Sequence, residues 1–438
     1  MKTSKFLRTH LVALGLAASV SALAVSAASA GGFAINEQSA YGLGSAYAGV
    51  AAGGSLSTTF WNPAALGEVG KWDYEGDLTA ILPLLDVTTN AFGPFPSQRN
   101  SNAGIGVVVP ATYSAYRLNQ NIILGLNVNS PFGLATAYGT SSYLAMAGVA
   151  NGSRVMTINA NPNIAYQFND QLTVAVGLQA QYMELRESAF GSSTGDYMGR
   201  TKNIGFGYTL GVDWKPMKGT SLGIGYRSGI TNMINGTLAN VPLPSPPYPA
   251  GTLASFDGTL KVKTPGVLTI GASQDLNEFW TVKAGATYTN WSVLGSVPVT
   301  GAAAAVINQK FGTPAIPFNY KDAWMYSIGA DYRYRPDLTL RAGFAYETSP
   351  INTAARDFRL PDADRLWFTT GLTYAPAKAY SIDFGYAFLH GLSTNIASVY
   401  TGGPSKNGPV SASYNANIHI ISMALKIKLD QVFGPGSL

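Results

Sequence analysis

The sequence predicts an all-β protein: a fourteen-stranded antiparallel transmembrane β-barrel whose N-terminal segment forms a plug in the lumen. Three observations carry this. From Trp72 onward, run after run alternates apolar and polar residues with period two, the signature of strands with two different faces. The connections alternate between six tight polar turns and seven longer loops, which join fourteen strands in the layout of bacterial outer-membrane barrels. Charged residues make up 12%, against roughly 25% in ordinary soluble domains, while Gly reaches 49 and Tyr 24 of 438 residues. No segment after the N-terminus has the eighteen or so continuous apolar residues of a membrane helix, so a membrane would be crossed by strands.

Residues 1–30 read as an export signal. Lys2, Lys5 and Arg8 form a basic start, Leu11 to Val25 an apolar run, and Ala28-Ser29-Ala30 a small-x-small cleavage site. Ser19, Ser21 and Ser26 dilute the run, which disfavours a retained anchor. The mature chain is expected to begin at Gly31. Removing the leader takes away three of the 28 bases and none of the 23 acids, so the formal charge falls from +5 to +2. No basic run or stripe is left for a nucleic acid. With no Cys, an exported chain of this size holds together without disulfides.

Residues 31–70 are the expected plug. Its main part, Gly31 to Leu66, is rich in Gly, Ala and Ser, carries one charge (Glu37), and has neither a helical stripe nor a sustained strand alternation. Such a segment cannot build its own core, but it can order against the polar inner wall of a barrel, where small residues let backbones approach.

Residues 71–430 are the expected barrel. In the first strand Trp72, Tyr74, Leu78, Ala80 and Leu82 face one way and Asp73, Glu75, Asp77 and Thr79 the other. Later strands repeat the pattern, with aromatics toward their ends where girdles meet the two membrane surfaces. Asp213, Arg227, Lys283, Asp331, Arg333, Arg341, Glu347, Arg365 and Asp383 share the parity that points inward. A charge on the lipid side near the midplane would cost about 2 to 4 kcal/mol, which places them in the lumen. Tight turns are expected at Arg117 to Asn121, Phe168 to Gln171, Lys215 to Gly219, Asp275 to Glu278, Arg335 to Asp337 and Pro376 to Ala379. Among the long connections are Pro131 to Asn151, Asn232 to Phe256 and Val293 to Asn319. Pro110 and Pro162 lie inside strands and suggest bulges. The run Tyr414 to Leu429 is the closing strand, which must pair with the first, and residues 431–438 form a C-terminal extension.

No catalytic constellation is present. The mature chain has two His (His390 and His419), no Cys, no G-x-S-x-G elbow and no phosphate loop, so no enzyme activity, cofactor or metal is expected. The long loops carry more apolar side chain than exposed loops need, including Phe132, Tyr143, Met146, Phe190, Phe311 and Phe318. Ser142 to Val149 and Ala302 to Phe311 are expected as short amphipathic helices. Together the loops would form an apolar groove in which an alkyl chain gains roughly 0.8 kcal/mol per buried methylene.

The run INEQSAYGLGSAYAG followed by Asn62-Pro63-Ala64 resembles the plug of the FadL-type outer-membrane transporters for long-chain fatty acids and related hydrocarbons. The stretches SPFGLAT, Lys321-Asp322-Ala323, FAYETSP and LPDADRLWF extend the resemblance over the whole mature chain. It implies a Gram-negative outer-membrane location and passive, ligand-gated uptake of a long-chain fatty acid or similar hydrophobic molecule. Monoaromatic hydrocarbons are the close rival. A general porin would need an open lumen, against which the plug argues, and a structural or adhesive barrel would leave the pocket empty. The resemblance also implies a gating role for Asn62, Pro63 and Ala64 and for Glu347, an acidic position that contacts the plug. It places a ligand pocket near Gly31, Phe33 and Ile35, and an inward kink at Pro131-Phe132-Gly133 that opens the wall sideways. A fatty acid needs a basic partner for its carboxylate. Lys321, Arg227 and Arg365 point by parity and height into the extracellular half of the lumen, and Arg186 lies at a strand end. The expected partners are the ligand and outer-membrane lipid, with the chain acting as a monomer. The chain departs from the family in ending DQVFGPGSL rather than on a terminal aromatic.

Overall fold

A computed structural model of the chain describes residues 31–433, except 102, 140, 147–151, 189–195, 202, 244, 353–355, 357, 359, 393–394 and 400–409. The expected signal peptide, Phe190 and residues 434–438 therefore lie outside the described residues.

Fourteen staves close into one antiparallel barrel. They are β1 (Trp72–Thr89), β2 (Val107–Arg117), β3 (Ile122–Asn129 and Gly133–Ala137), β4 (Gly152–Gln167), β5 (Leu172–Ser188), β6 (Asp196–Thr201 and Gly205–Met217) and β7 (Thr220–Arg227 and Thr231–Pro242). They continue with β8 (Leu253–Lys263 and Val267–Asp275), β9 (Trp280–Thr289), β10 (Ala323–Arg335), β11 (Leu338–Glu347), β12 (Arg365–Ala377), β13 (Tyr380–Gly391) and β14 (Val410–Lys428). Closure is the pairing of β1 with β14, from Asp73 opposite Lys428 to Thr89 opposite Ala412, which leaves no edge to lipid. The six tight turns fall where the polar clusters predict them, on one rim.

Alternation sorts the faces. In β1 Glu75, Asp77 and Thr79 are buried toward the lumen while Leu78 and Leu82 are 50% and 44% exposed on the outside. Outward aromatics form a lower girdle with Trp72, Trp214, Trp280 and Tyr380, and an upper one with Tyr182, Phe206, Tyr288 and Trp324. In β5 the ten steps from Leu172 to Tyr182, at ~3.3 Å each on a strand tilted by ~40°, span about 25 Å, the height of the apolar band of such barrels.

Three expectations need correction. Pro110 makes no bulge: it pairs in register with Leu78, and on its other side the ladder to β3 begins only at Thr112, so its missing N–H faces no partner strand. Pro162 also stays in register, opposite Leu126. The ladder to β5 has no pairs at Asn161 and Pro162, where the Asn161 side chain donates to the Leu178 carbonyl (2.6 Å) and that of Asn163 to the Asn161 carbonyl (2.8 Å). Asn232 to Phe256 is no loop: Thr231–Pro242 and Leu253–Lys263 continue β7 and β8 upward, and only residues 243–252 connect them. Of the helix expected over Ser142 to Val149, Tyr143–Met146 is helical and residues 147–149 lie outside the described residues; of that expected over Ala302 to Phe311, Ala303–Phe311 is helical. That helix and a small hairpin, Ser296–Gly301 with Ala315–Pro317, cap the extracellular end beside β8. A short helix, Leu429–Phe433, follows β14 with no buried residue.

Candidate ligand site and plug

Residues 31–69 occupy the lumen. Their conformation is a chain of short turns: a helix at Ala40–Gly44, then 3-10 turns at Val50–Ala52, Leu56–Phe60 and Pro63–Glu68. Apart from Ala34, Asn36, Gly54, Ser55, Leu56, Gly67 and Glu68, every residue is buried.

The barrel makes room with glycine. A Cβ at Gly223 would lie 1.7 Å from the Ala51 carbonyl oxygen, one at Gly225 2.0 Å from that of Trp61, and one at Gly343 2.3 Å from the Ser45 carbonyl carbon. A Cβ at Gly211, Gly385, Gly371 or Gly329 would lie 2.1, 2.7, 2.8 or 2.9 Å from the segment, and one at Gly271 or Gly285 3.0 or 3.3 Å. These positions pair with one another across successive staves, as Gly211 with Gly225 and Gly223 with Gly271, so they form a belt without side chains around the segment. Sequence reasoning missed this belt; its signal was a Gly recurring at inward parity in strand after strand.

Asn62 fastens the segment at the belt. Its side-chain amide donates to the Ala51 carbonyl (2.6 Å) and to Val212 in the wall (2.9 Å), while its oxygen caps the following turn at the Ala64 N–H (3.0 Å). Pro63 occupies the first position of that turn, where its fixed φ and lack of an N–H suit a helix start. Charges complete the hold. Asp77 accepts from the Ala40 N–H (2.8 Å) and Glu75 from Ser57 (2.9 Å). The Tyr41 ring sits among Lys283, Arg341 and Lys426, at 4.5, 4.2 and 4.9 Å. Those cations in turn pair with Asp331 and Asp383.

Above the belt the N-terminal tip reaches the wall at the interrupted stave. β3 stops at Asn129 and resumes at Gly133. The tip fills the break: Ile35 donates to the Pro131 carbonyl (2.9 Å), Gly133 to that of Phe33 (2.9 Å), and Ala34 bridges Phe132. The Gln38 side chain donates to the Ser130 and Ile35 carbonyls (2.8 and 3.1 Å), and Thr157 of β4 exchanges hydrogen bonds with the backbone of Phe132.

Phe33 also walls an apolar cavity with about 790 Å3 of empty space, lined further by Leu134, Met183, Val262, Phe318 and Tyr320. Its ring packs edge-on against Trp291 (4.8 Å) and Phe132 (5.9 Å). Trp291 belongs to a short 3-10 turn whose start is tied down by Asp322, which accepts from the Ser292 N–H (2.8 Å) and the Tyr288 hydroxyl (2.6 Å). The concave, apolar lining is that of a small-molecule site. A second cavity, with about 540 Å3 of empty space counting its open side, shares Leu360 with the first and is bordered by Arg365.

The four sequence-selected bases fall in four environments. Arg365 is buried beside the tip and pairs with Asp362 and Glu347 (3.7 Å to the latter). Asp362 accepts from the Gly32 N–H (3.0 Å) and the Ser349 hydroxyl (2.6 Å). Glu347 accepts from the Trp367 indole (3.0 Å), and a Cβ at Gly31 would fall 2.3 Å from its oxygen. Arg227 is buried lower down, donating to the Phe60 carbonyl, Asn159 and Gln179, with its guanidinium 4.4 Å over the Phe60 ring. It braces the plug and does not border the apolar cavity. Lys321 is exposed and precedes β10 in an irregular stretch where strand parity has no force. Arg186 points outward, since Met183 and Leu185 line the cavity from the same strand. The apolar loop residues divide as well. Phe132, Phe311 and Phe318 join the cluster around the cavity, whereas Tyr143 packs with Phe95 in a separate cluster and Met146 is 61% exposed.

Residues 21–428 match the model of the outer membrane protein transport protein family (OMPP1/FadL/TodX). The chain belongs to this family. It is an outer-membrane transport protein and not an enzyme. A long-chain fatty acid transport protein of Escherichia coli O6:H1 is 28% identical over 424 residues, covering 88% of this chain and 92% of the relative. Outer membrane protein P1 of Haemophilus influenzae is 26% identical over 463 residues, covering 92% and 96%. Among solved structures, a Pseudomonas aeruginosa FadL homologue has a TM-score of 0.74 at 20% identity, covering 90% of this chain and 99% of that one. The Pseudomonas putida toluene transporter TodX has a TM-score of 0.61 at 20% identity, covering 84% and 94%. At these identities the structures speak for the shared fold.

Proposed function

We propose that this family member takes up long-chain fatty acids passively, with the N-terminal tip as its gate. The observation that carries the reading is the apolar cavity with Phe33 as one wall, because a ligand there and the position of the tip are then physically linked. The alkyl chain enters from the capping hairpin and helix and occupies the cavity. The carboxylate reaches toward Arg365, the base that borders the adjoining cavity, and competes with Asp362 for it. Asp362 also holds the Gly32 N–H, so loosening it loosens the tip. Movement of the tip removes Phe33 from the cavity and breaks its backbone pairing with Pro131 and Gly133, which opens the wall at the interruption in β3. The ligand's differential affinity for the two tip positions, with its concentration gradient, supplies the drive.

A specific observation supports uptake of neutral hydrocarbons instead. Among the described residues, the charged group lining the larger cavity is Glu187, and no Lys or Arg lines it. Calorimetry on the purified protein with oleate and with toluene separates the readings. Fatty-acid uptake predicts that Arg365→Gln weakens oleate by about tenfold, or ~1.4 kcal/mol, and spares toluene. Toluene binding with no oleate binding favours the hydrocarbon reading, and binding of neither overturns both.

A further inference from the structure

Above the upper girdle, the outside of the barrel is basic on one side. In β5 the outward residues run Tyr182, Glu184, Arg186, and in β4 they run Ile158, Met156, Arg154. Arg200 of β6 faces out opposite Glu184, and Lys261 and Lys263 of β8 flank the inward Val262. All five bases are exposed. Arg186 stands four residues beyond Tyr182, about 10 Å higher on a tilted strand. That is the level of headgroups rather than of hydrocarbon. The other side differs at this level: past the girdle residues Tyr288 and Tyr346 come Asp322 and Asp364, each accepting from the tyrosine hydroxyl.

Two further features mark the basic side. Arg154 and Arg186 are direct cross-strand partners, which sets two guanidinium groups side by side on the outward face. The same two arginines border a groove with about 660 Å3 of empty space, whose other walls include Ile105, Ala135 and Ala137. Charge beside small apolar surface suits a ligand with both characters.

We propose that this outward face of β4 to β8 binds the phosphate groups of a phosphorylated glycolipid of the outer leaflet. Arg154 and Arg186 form the centre of the site, and Arg200, Lys261 and Lys263 form its flank. Guanidinium pairs are suited to bidentate contact with phosphate oxygens, and the two lysines add point charges around them. The site is separate from the transport route, since all five side chains project away from the lumen. Its effect is to orient the barrel against a fixed lipid on the side where β3 is interrupted.

The test uses the purified full-length protein in detergent and measures binding of bisphosphorylated lipid A by native mass spectrometry. The triple variant Arg154→Gln, Arg186→Gln, Arg200→Gln should lose affinity by about tenfold or more. Lys218→Gln, in a turn on the opposite rim, should bind as the unmodified protein does. Dephosphorylated lipid A should bind weakly to all forms, and millimolar inorganic phosphate should not displace the lipid. Heat-modifiable electrophoretic mobility checks that the variants fold; should the triple variant fail there, Arg186→Gln alone carries the comparison, with Arg186→Lys restoring part of the affinity. Equal binding by a folded variant, or equal binding of the dephosphorylated lipid, overturns the proposal. Displacement by inorganic phosphate at the same concentration also overturns it, by assigning the site to free phosphate.

Discussion

The two ends of the lumenal segment are held in different ways. From Ser39 to Val69 the body is wedged against a belt of glycines and tied by buried carboxylates, the Asn62 amide and the cations around Tyr41. From Gly31 to Gln38 the tip is held by a short backbone pairing, the Asp362 carboxylate, one glutamine side chain and edge-on aromatic contacts. The body has no alternative seat, because backbone-to-backbone contact at the belt fits one arrangement. The tip has contacts that water or a ligand can replace one at a time. A single segment can thus close the barrel permanently at one end and reversibly at the other.

The largest effect should come from breaking the body's seat. Gly223→Leu puts a side chain where the Ala51 carbonyl lies, and overpacking of this severity exceeds the ~1 to 3 kcal/mol of an ordinary misfit. The body should be expelled and the lumen should conduct ions, which planar-bilayer recording reads as a step absent from the unmodified protein. An unchanged, closed record would show that the belt does not set the seat. Next in size is Arg341→Met. It removes the cation between Asp331 (3.3 Å) and Asp383 (3.7 Å), and breaking a buried pair costs about 3 to 5 kcal/mol. The midpoint of thermal unfolding should fall, with only a minor change in ligand affinity.

Changes at the tip should reverse that pattern. Phe33→Ala removes two edge-on ring contacts of about 0.5 to 1.5 kcal/mol each and one wall of the cavity. Affinity for oleate should fall by about tenfold while thermal unfolding stays nearly unchanged, and Trp291 emission should shift to the red. A variant that lowers stability as much as Arg341→Met does would erase the distinction between the two ends.

The staves and tight turns were legible because period-two alternation and polar turn clusters are local. So was the lumenal parity of Arg341, Glu347 and Arg365, each inside a regular strand. Parity gave no guidance at Lys321, which lies outside any strand. It had no force either at the top of β7, where the pairing shifts between Leu238 and Val241 and Asn240 takes a positive φ of 58°. Gly, Asn and Pro in that stretch read as loop, yet it is strand. The meaning of the glycines depended on a register spanning the whole barrel. The pairing of Phe33 with Gly133 joins positions a hundred residues apart, and no window along the chain contains both.

The smallest expected change in global stability is the sharpest test of the tip as a separate unit. The Gln38 side chain donates to the carbonyls of Ser130 in the wall and Ile35 in the tip (2.8 and 3.1 Å), and its oxygen lies 3.4 Å from the Ser130 N–H. It thereby stands in for the ladder that β3 lacks at its interruption. Gln38→Leu keeps a side chain of similar length and leaves those backbone groups unpartnered, at a cost of about 1 to 3 kcal/mol for each buried group left unsatisfied. The cost falls on the junction and not on the body, so global stability and the closed conductance should persist. Amide exchange by mass spectrometry should then quicken over residues 33–35 and 130–136 and stay slow over 40–66. Faster exchange through the whole segment would mean that tip and body open together, and the gate would have to be the entire plug.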